Sequence, residues 1–279
     1  MRELFSVFVL LFASTVFAQS KKDWVQLFDG KSLDGWHVKI RNYELDNNFG
    51  NTFRVEKGKM TVSYENYDAY NERFGHIFYK NPYSYYHIRV VYRFVGNQVP
   101  GGPEWAIRNN GIMLHCQSPE SMGLNQDFPI SIEVQLLGGN GKDKRTTSNL
   151  CTPGTNVVYD GKLDTRHCIN SDSETYHGDQ WVQADVLVYG DSLIIHQVNG
   201  EEVMRYTNPQ IGGGNVDDLL EGIKVDGAPL TSGYISLQSE SHPTQFKKIE
   251  ILNLEGCMDP KAKNYKPYFV KADNSKCSY

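Results

Sequence analysis

The chain has 279 residues, a length for one large domain or two average ones, and its 39% hydrophobic and 22% charged residues suit a packed core rather than a disordered chain. The formal net charge is −5, so there is no basic excess to neutralise phosphates, and no nucleic-acid partner is expected. Aromatic residues make up 12%, with 17 Tyr and 13 Phe, which leans the chain toward strands.

Residues 1–18, MRELFSVFVLLFASTVFA, read as a secretory signal peptide. Arg2 supplies a short charged start, Leu4 to Phe17 form the apolar run, and Val16 and Ala18 are the small residues before a cleavage point. The run is too short for a stable bilayer anchor, and no later segment reaches transmembrane length. A secreted or periplasmic protein, free of the membrane after cleavage, is expected.

Helical periodicity is scarce, while strand signals recur along the chain. In order they are 53–55 and 59–62 around a Lys57-Gly58 turn, then 86–94, 111–115, 130–136, 182–188, 193–198, 203–206, 233–238 and 246–252. Asn199-Gly200 marks a hairpin, because both residues accept positive φ cheaply. Many short strands separated by Gly and Asn turns predict an all-β sandwich or barrel. Residues 138–180 and 207–231 read as two long connections.

Five cysteines fall at 116, 151, 168, 257 and 277, with no CxxC pair. In an oxidising compartment the expected disulfides are Cys151–Cys168 and Cys257–Cys277, each closing a short polar loop. Cys116 is left as a buried small side chain within a strand. Composition changes near Glu255-Gly256, and 256–279 reads as a basic, Cys-bounded appendage.

Alternation puts Ser131, Glu133 and Gln135 on one face of a strand whose Ile132, Val134 and Leu136 face the core. It also pairs Ile112 with Leu114 on one face and Met113 with His115 on the other, with Arg108 and Asn110 just upstream. Gln238, Glu240 and His242 alternate in a third segment. Three strands thus carry titratable residues at period two, as the polar face of a carbohydrate cleft does. The lipase elbow, zinc-protease helix, P-loop and dinucleotide turn are all missing. Glu133 is followed by Gln135, one acid where a sandwich glucanase carries a pair on one strand, which argues against ordinary two-carboxylate glycoside hydrolysis.

Several segments together resemble the 3-keto-disaccharide hydrolase domain family. They are Leu27-Phe28-Asp29-Gly30-Lys31-Ser32-Leu33-Asp34-Gly35-Trp36, Asn109-Asn110-Gly111-Ile112, Glu133-Val134-Gln135, His196 to Gly200, and Phe246-Lys247-Lys248-Ile249. The resemblance spans roughly 24–254, with Asn110 where the family carries Ser and Val134 where it carries an aromatic residue. It implies a two-sheet antiparallel jelly-roll sandwich of the concanavalin A-like lectin and glucanase type over 22–255, followed by the 256–279 appendage. It also implies cleavage of 3-keto-glycosides. A ketone at C3 acidifies the C2 proton, so one base can remove it and the C1 substituent departs by β-elimination, with water adding afterwards.

On that route Glu133 or His115 is the base, and Arg108 or a divalent metal ion stabilises the enolate. Gln135, Gln238, Glu240 and His242 orient hydroxyls or ligate that metal, and Lys80, Trp105 and Asn110 contact the oligosaccharide or glycoside substrate. A non-catalytic carbohydrate-binding module, an ordinary glycoside hydrolase and a structural wall protein are the alternative readings.

Overall fold

A computed structural model describes residues 23–279, so the signal-peptide reading of 1–18 lies outside the described residues. Two antiparallel sheets stack face to face, and no α-helix occurs among the described residues. The larger sheet has ten strands. At its centre Tyr85–Phe94 pairs with Val182–Tyr189 on one side and Thr244–Asn253 on the other. The second has seven, in the spatial order Cys168–Ile169, Asn149–Cys151, Ile132–Leu137, Asn109–Cys116, Tyr234–Ser239, Gly75–Tyr79 and Trp36–Ile40.

The core lies between the sheets. Ile88, Val90, Tyr92 and Phe94 point inward from one sheet and meet Ile112, Leu114, Ile132, Val134 and Leu136 from the other, all buried. Period-two alternation forces this outcome: once Ile132, Val134 and Leu136 face the core, Glu133 and Gln135 must face away from it. The second face of the seven-stranded sheet is therefore where chemistry can sit.

The stretch 138–180 is more ordered than a long connection. It holds Asn149–Cys151, Thr155–Tyr159, Lys162–Asp164 and Cys168–Ile169, two strands for each sheet. These pieces have two to five residues, too short for a periodic signal, and tertiary pairing defines them. Gly75–Tyr79 also gave no signal, because it is buried on both faces and does not alternate.

Both expected disulfides form. Cys151–Cys168 joins two neighbouring strands at the sheet edge, where the two cysteines are direct cross-strand partners. Cys257–Cys277 closes the C-terminal segment, which adds a two-residue parallel bridge between Glu255–Gly256 and Lys271–Ala272. Cys116 is free and buried.

Ile132 is fully buried at the sheet interface, whereas Leu163 is 56% exposed. Ile132→Ala is expected to cost about 2–5 kcal/mol through lost burial and the void left behind. Leu163→Ala should stay within about 0.5 kcal/mol of the parent. Urea unfolding of both variants checks this, and equal costs at the two positions would contradict the packing described.

Candidate active site

A polar row crosses the outer face of the seven-stranded sheet. Asn149, Gln135, Gly111, Gln238, His76 and Lys39 follow one another, one from each of six adjacent strands. The row closes up at Gly111, because a Cβ there would collide with the Gln238 carboxamide and the Glu133 carboxylate. Glycine here leaves room for the ends of both side chains, which a larger residue would displace. Glu133 lies one level along, opposite Met113 on one side and Cys151 on the other. Glu240 follows directly after the Tyr234–Ser239 strand.

Above this floor is a hollow of about 700 Å³, with Glu133, Glu240, Gln135, Asn109, Arg145 and Trp105 in its lining. The Cys151–Cys168 disulfide forms part of its wall. Its rim is tied by Asp127, whose Oδ1 accepts the backbone N–H groups of Phe128 at 2.7 Å and Asp217 at 2.9 Å. Trp105 sits on a one-turn 3₁₀ segment behind Pro103, is 53% exposed, and stacks on Phe74 with the ring planes 8° apart. An indole held flat at a mouth is a surface on which a sugar ring's C–H face can rest.

The electrostatics of the hollow are set by two buried acids. Glu133 is 5% exposed and Glu240 3%. Burial pushes the Glu133 carboxyl up to about 8, only partly offset by the neighbouring Gln238. Burial and the Glu133 charge push Glu240 well above the usual carboxylate range. Glu240 Oε2 and both polar atoms of Gln238 have no hydrogen-bond partner among the described residues. Arg145 brings the positive charge. Its Nη1 donates to the carbonyls of Ile107 at 2.7 Å and Gly138 at 2.8 Å, which holds the side chain in the lining of the hollow.

The residues singled out in the sequence divide sharply. Glu133, Gln135, Glu240 and Trp105 line the hollow, and Gln238 lies in its floor. His115 does not reach it. The strand bulges there, with His115 at φ +50° and the register against Tyr234–Ser239 shifted, so the expected pairing with Met113 fails. Its ring turns toward the other sheet, against Tyr86, with Nε2 3.1 Å from the Gly190 carbonyl.

Arg108, at φ +49°, leaves the lining and donates to the Gly178 carbonyl and to Asp179. Asn110 points away from Gly111's face. Its Nδ2 donates to the Gln238 carbonyl at 2.8 Å and its Oδ1 accepts the Gly111 N–H, so Asn109 is the member of that pair in the hollow. His242 is set off the alternation by Ser241 at φ +86° and packs edge-on to Phe94. Lys80 follows the Gly75–Tyr79 strand and lies along Gly35, outside the lining.

Two residues of this face gave no sequence signal: Arg145, in an irregular loop, lines the hollow, and His76, next to Gln238 in the polar row, is 1% exposed with burial holding its imidazole down to about 3. Neither His76 nitrogen has a partner among the described residues. Among the described residues no three His, Cys, Asp or Glu side chains converge as a metal site.

The acid pair gives stability a definite pH dependence. Unfolded, both groups ionise near 4.5; folded, they hold their protons to higher pH. The native state therefore binds more protons than the unfolded chain above 4.5, and stability falls as pH rises toward 8. Glu240→Gln removes one of these protonation costs. Its Tm is expected to exceed the parent's at pH 8 and to match it at pH 4, as read by calorimetry. A Tm difference independent of pH would contradict the geometry.

The sequence matches the 3-keto-alpha-glucoside-1,2-lyase-like domain over residues 23–252. No curated protein matches it. Among solved structures, a Bacillus subtilis protein of unknown function with a galectin-like fold is similar at TM-score 0.50 and 9% identity, covering 82% of this chain and 94% of that one. A Parabacteroides distasonis protein provisionally named a glycosyl hydrolase gives 0.49 and 18%, over 84% and 97% of the two chains. The carbohydrate-binding module CBM66 of Bacillus subtilis gives 0.45 and 10%, over 78% and 96%. The galectin-like neighbour agrees with the jelly-roll sandwich. With the family match covering most of its length, the chain belongs to the 3-keto-alpha-glucoside-1,2-lyase-like domain family and is a carbohydrate-related protein.

Proposed function

We propose that this protein is an exported enzyme that cleaves glycosides carrying a ketone at C3 of the sugar, by removing the C2 proton and expelling the C1 substituent. The observation that carries this reading is the Glu133–Glu240 pair in one water-poor hollow, with both carboxyls held above their usual range. Such a pair loses its first proton well before its second, which makes one member a base while the other stays an acid. Glu133, at mid-strand in the lining of the hollow, is assigned as the base.

Glu133 takes the proton from C2, and the electrons of that C–H bond are delocalised onto the C3 oxygen as an enolate. Arg145, a cation in the lining of the same hollow, is assigned to stabilise that developing charge. When the C3 carbonyl re-forms, a C1–C2 double bond forms and the C1–O bond breaks. Glu240 gives its proton to the departing oxygen, so one proton has entered the pair from C2 and one has left with the alcohol. Adding water across C1–C2 yields the free 3-keto sugar. Gln135 and Asn109 meet hydroxyls, and Trp105 carries the ring face. Cys151–Cys168 in the wall supports an oxidising compartment.

The absence of an acid pair on one strand does not mean a single acid in the site, since Glu240 arrives from another strand. Ordinary hydrolysis therefore needs its own argument. Its transition state is cationic at C1 and needs a standing carboxylate. A pair that ionises only once, with Arg145 in the same lining, suits an anionic transition state instead. A non-catalytic lectin role is the second reading, favoured by the exposed Trp105 at the mouth.

Glu133→Gln is expected to lower kcat on a 3-keto-glucoside by about 10²–10⁴-fold. The acid limb of the parent's kcat/KM profile should have its midpoint near 8, far above the 4.5 of an ordinary glutamate. In heavy water, NMR should show deuterium at C2 of the sugar after cleavage and hydration. Unlabelled product, or equal turnover of the unoxidised glucoside, would reject the elimination route. Saturable binding with no turnover would select the lectin.

A further inference from the structure

A second cavity, of about 380 Å³, opens on the outer face of the ten-stranded sheet, beside the turn that carries Glu240. Its walls come from Lys59–Val62 and the residues after it, from the loop at 95–100, and from the start of Thr244–Asn253. Its chemistry is that of a hydroxyl-binding site. Thr61 lies at its floor, 3% exposed, and its hydroxyl has no partner among the described residues. A buried hydroxyl left single is costly and points to an absent partner.

Above Thr61 are the carboxamides of Asn97, Gln98 and Gln245. Gln245 spends its oxygen on Arg93, which leaves its N–H₂ as donor, and Gln98 spends its N–H₂ on the Pro103 carbonyl and Ser241 Oγ, which leaves its oxygen as acceptor. Donor and acceptor amides thus face one space, with Val99 and Pro243 as apolar wall. The charges at its edge, Glu56 and Glu65, are both paired with Arg54, so the site does not call for an ion. Amides and hydroxyls of both hydrogen-bonding senses around a partly apolar wall fit a neutral pyranose ring.

We infer that this cavity is a second, non-catalytic site for a neutral pyranoside, separate from the hollow of Glu133. It shares one structural element with that hollow. The turn from Glu240 to Pro243 gives Glu240 to the hollow and Pro243 to the cavity. Ser241 between them donates its N–H to the Tyr64 hydroxyl at 2.7 Å and its Oγ accepts from Gln98. A sugar seated on Tyr64 and Gln98 therefore presses on the turn that holds the acid.

The test is an NMR titration of the full chain with methyl α-D-glucopyranoside, which carries no ketone and so reads the cavity independently of the elimination chemistry. The side-chain amides of Asn97, Gln98 and Gln245 are expected to shift and saturate. Asn97→Ala, an exposed-loop change that leaves the fold alone, and Thr61→Val, which keeps the shape but removes the hydroxyl, should each weaken that binding at least five-fold. Trp105→Ala, at the other hollow, should leave it unchanged. No shift at these amides up to about 100 mM, equal affinity in both cavity variants, or loss of the shifts in Trp105→Ala would each overturn the second site.

Discussion

Two carboxyl groups placed together out of water, with no cation directly between them, cannot both ionise near neutral pH, and much of this molecule follows from that constraint. Folding must hold Glu133 and Glu240 in place against their own desolvation. The jelly roll does so by setting a row of polar residues on the outer face of one sheet, next to an apolar cluster of Phe78, Met113, Cys116 and Met122, while the opposite face makes the core. Glu133 is fixed at mid-strand between two paired neighbours, and Glu240 by a turn whose next residue is bonded on both sides. The groups that would relax by rotation are thereby denied the room.

The same arrangement explains which parts of the site were legible in the sequence. Where a strand alternates without interruption, the reading was right: Ile132, Val134 and Leu136 went to the core and Glu133 and Gln135 to the outer face. Where the backbone leaves the β region, alternation miscounted. Positive φ at Arg108, His115 and Ser241 turned Arg108, His115 and His242 away from the site, and none of the three is a glycine that would have warned of it. Asn109 and Asn110 differ by one position, which on a strand is the whole difference between hollow and clip.

What was missed has a common cause. Arg145 and the short strands of 138–180 have no period of their own, and their positions are set by partners far along the chain. His76 was missed for the opposite reason: its strand is buried on both faces, so nothing distinguishes a site-facing residue from a core one. Composition and spacing identify such a fold well, but they identify a site only to the extent that the site lies on regularly alternating strands.

The Cys151–Cys168 link is set in the wall of the hollow, and Cys151 is the direct strand neighbour of Glu133. The residues between the two cysteines form a covalent ring. A protease that cuts one peptide bond inside that ring severs the chain without releasing either end, and the segment bearing His167 stays tethered where it was. The most irregular part of the sequence can thus be nicked and still border the same space.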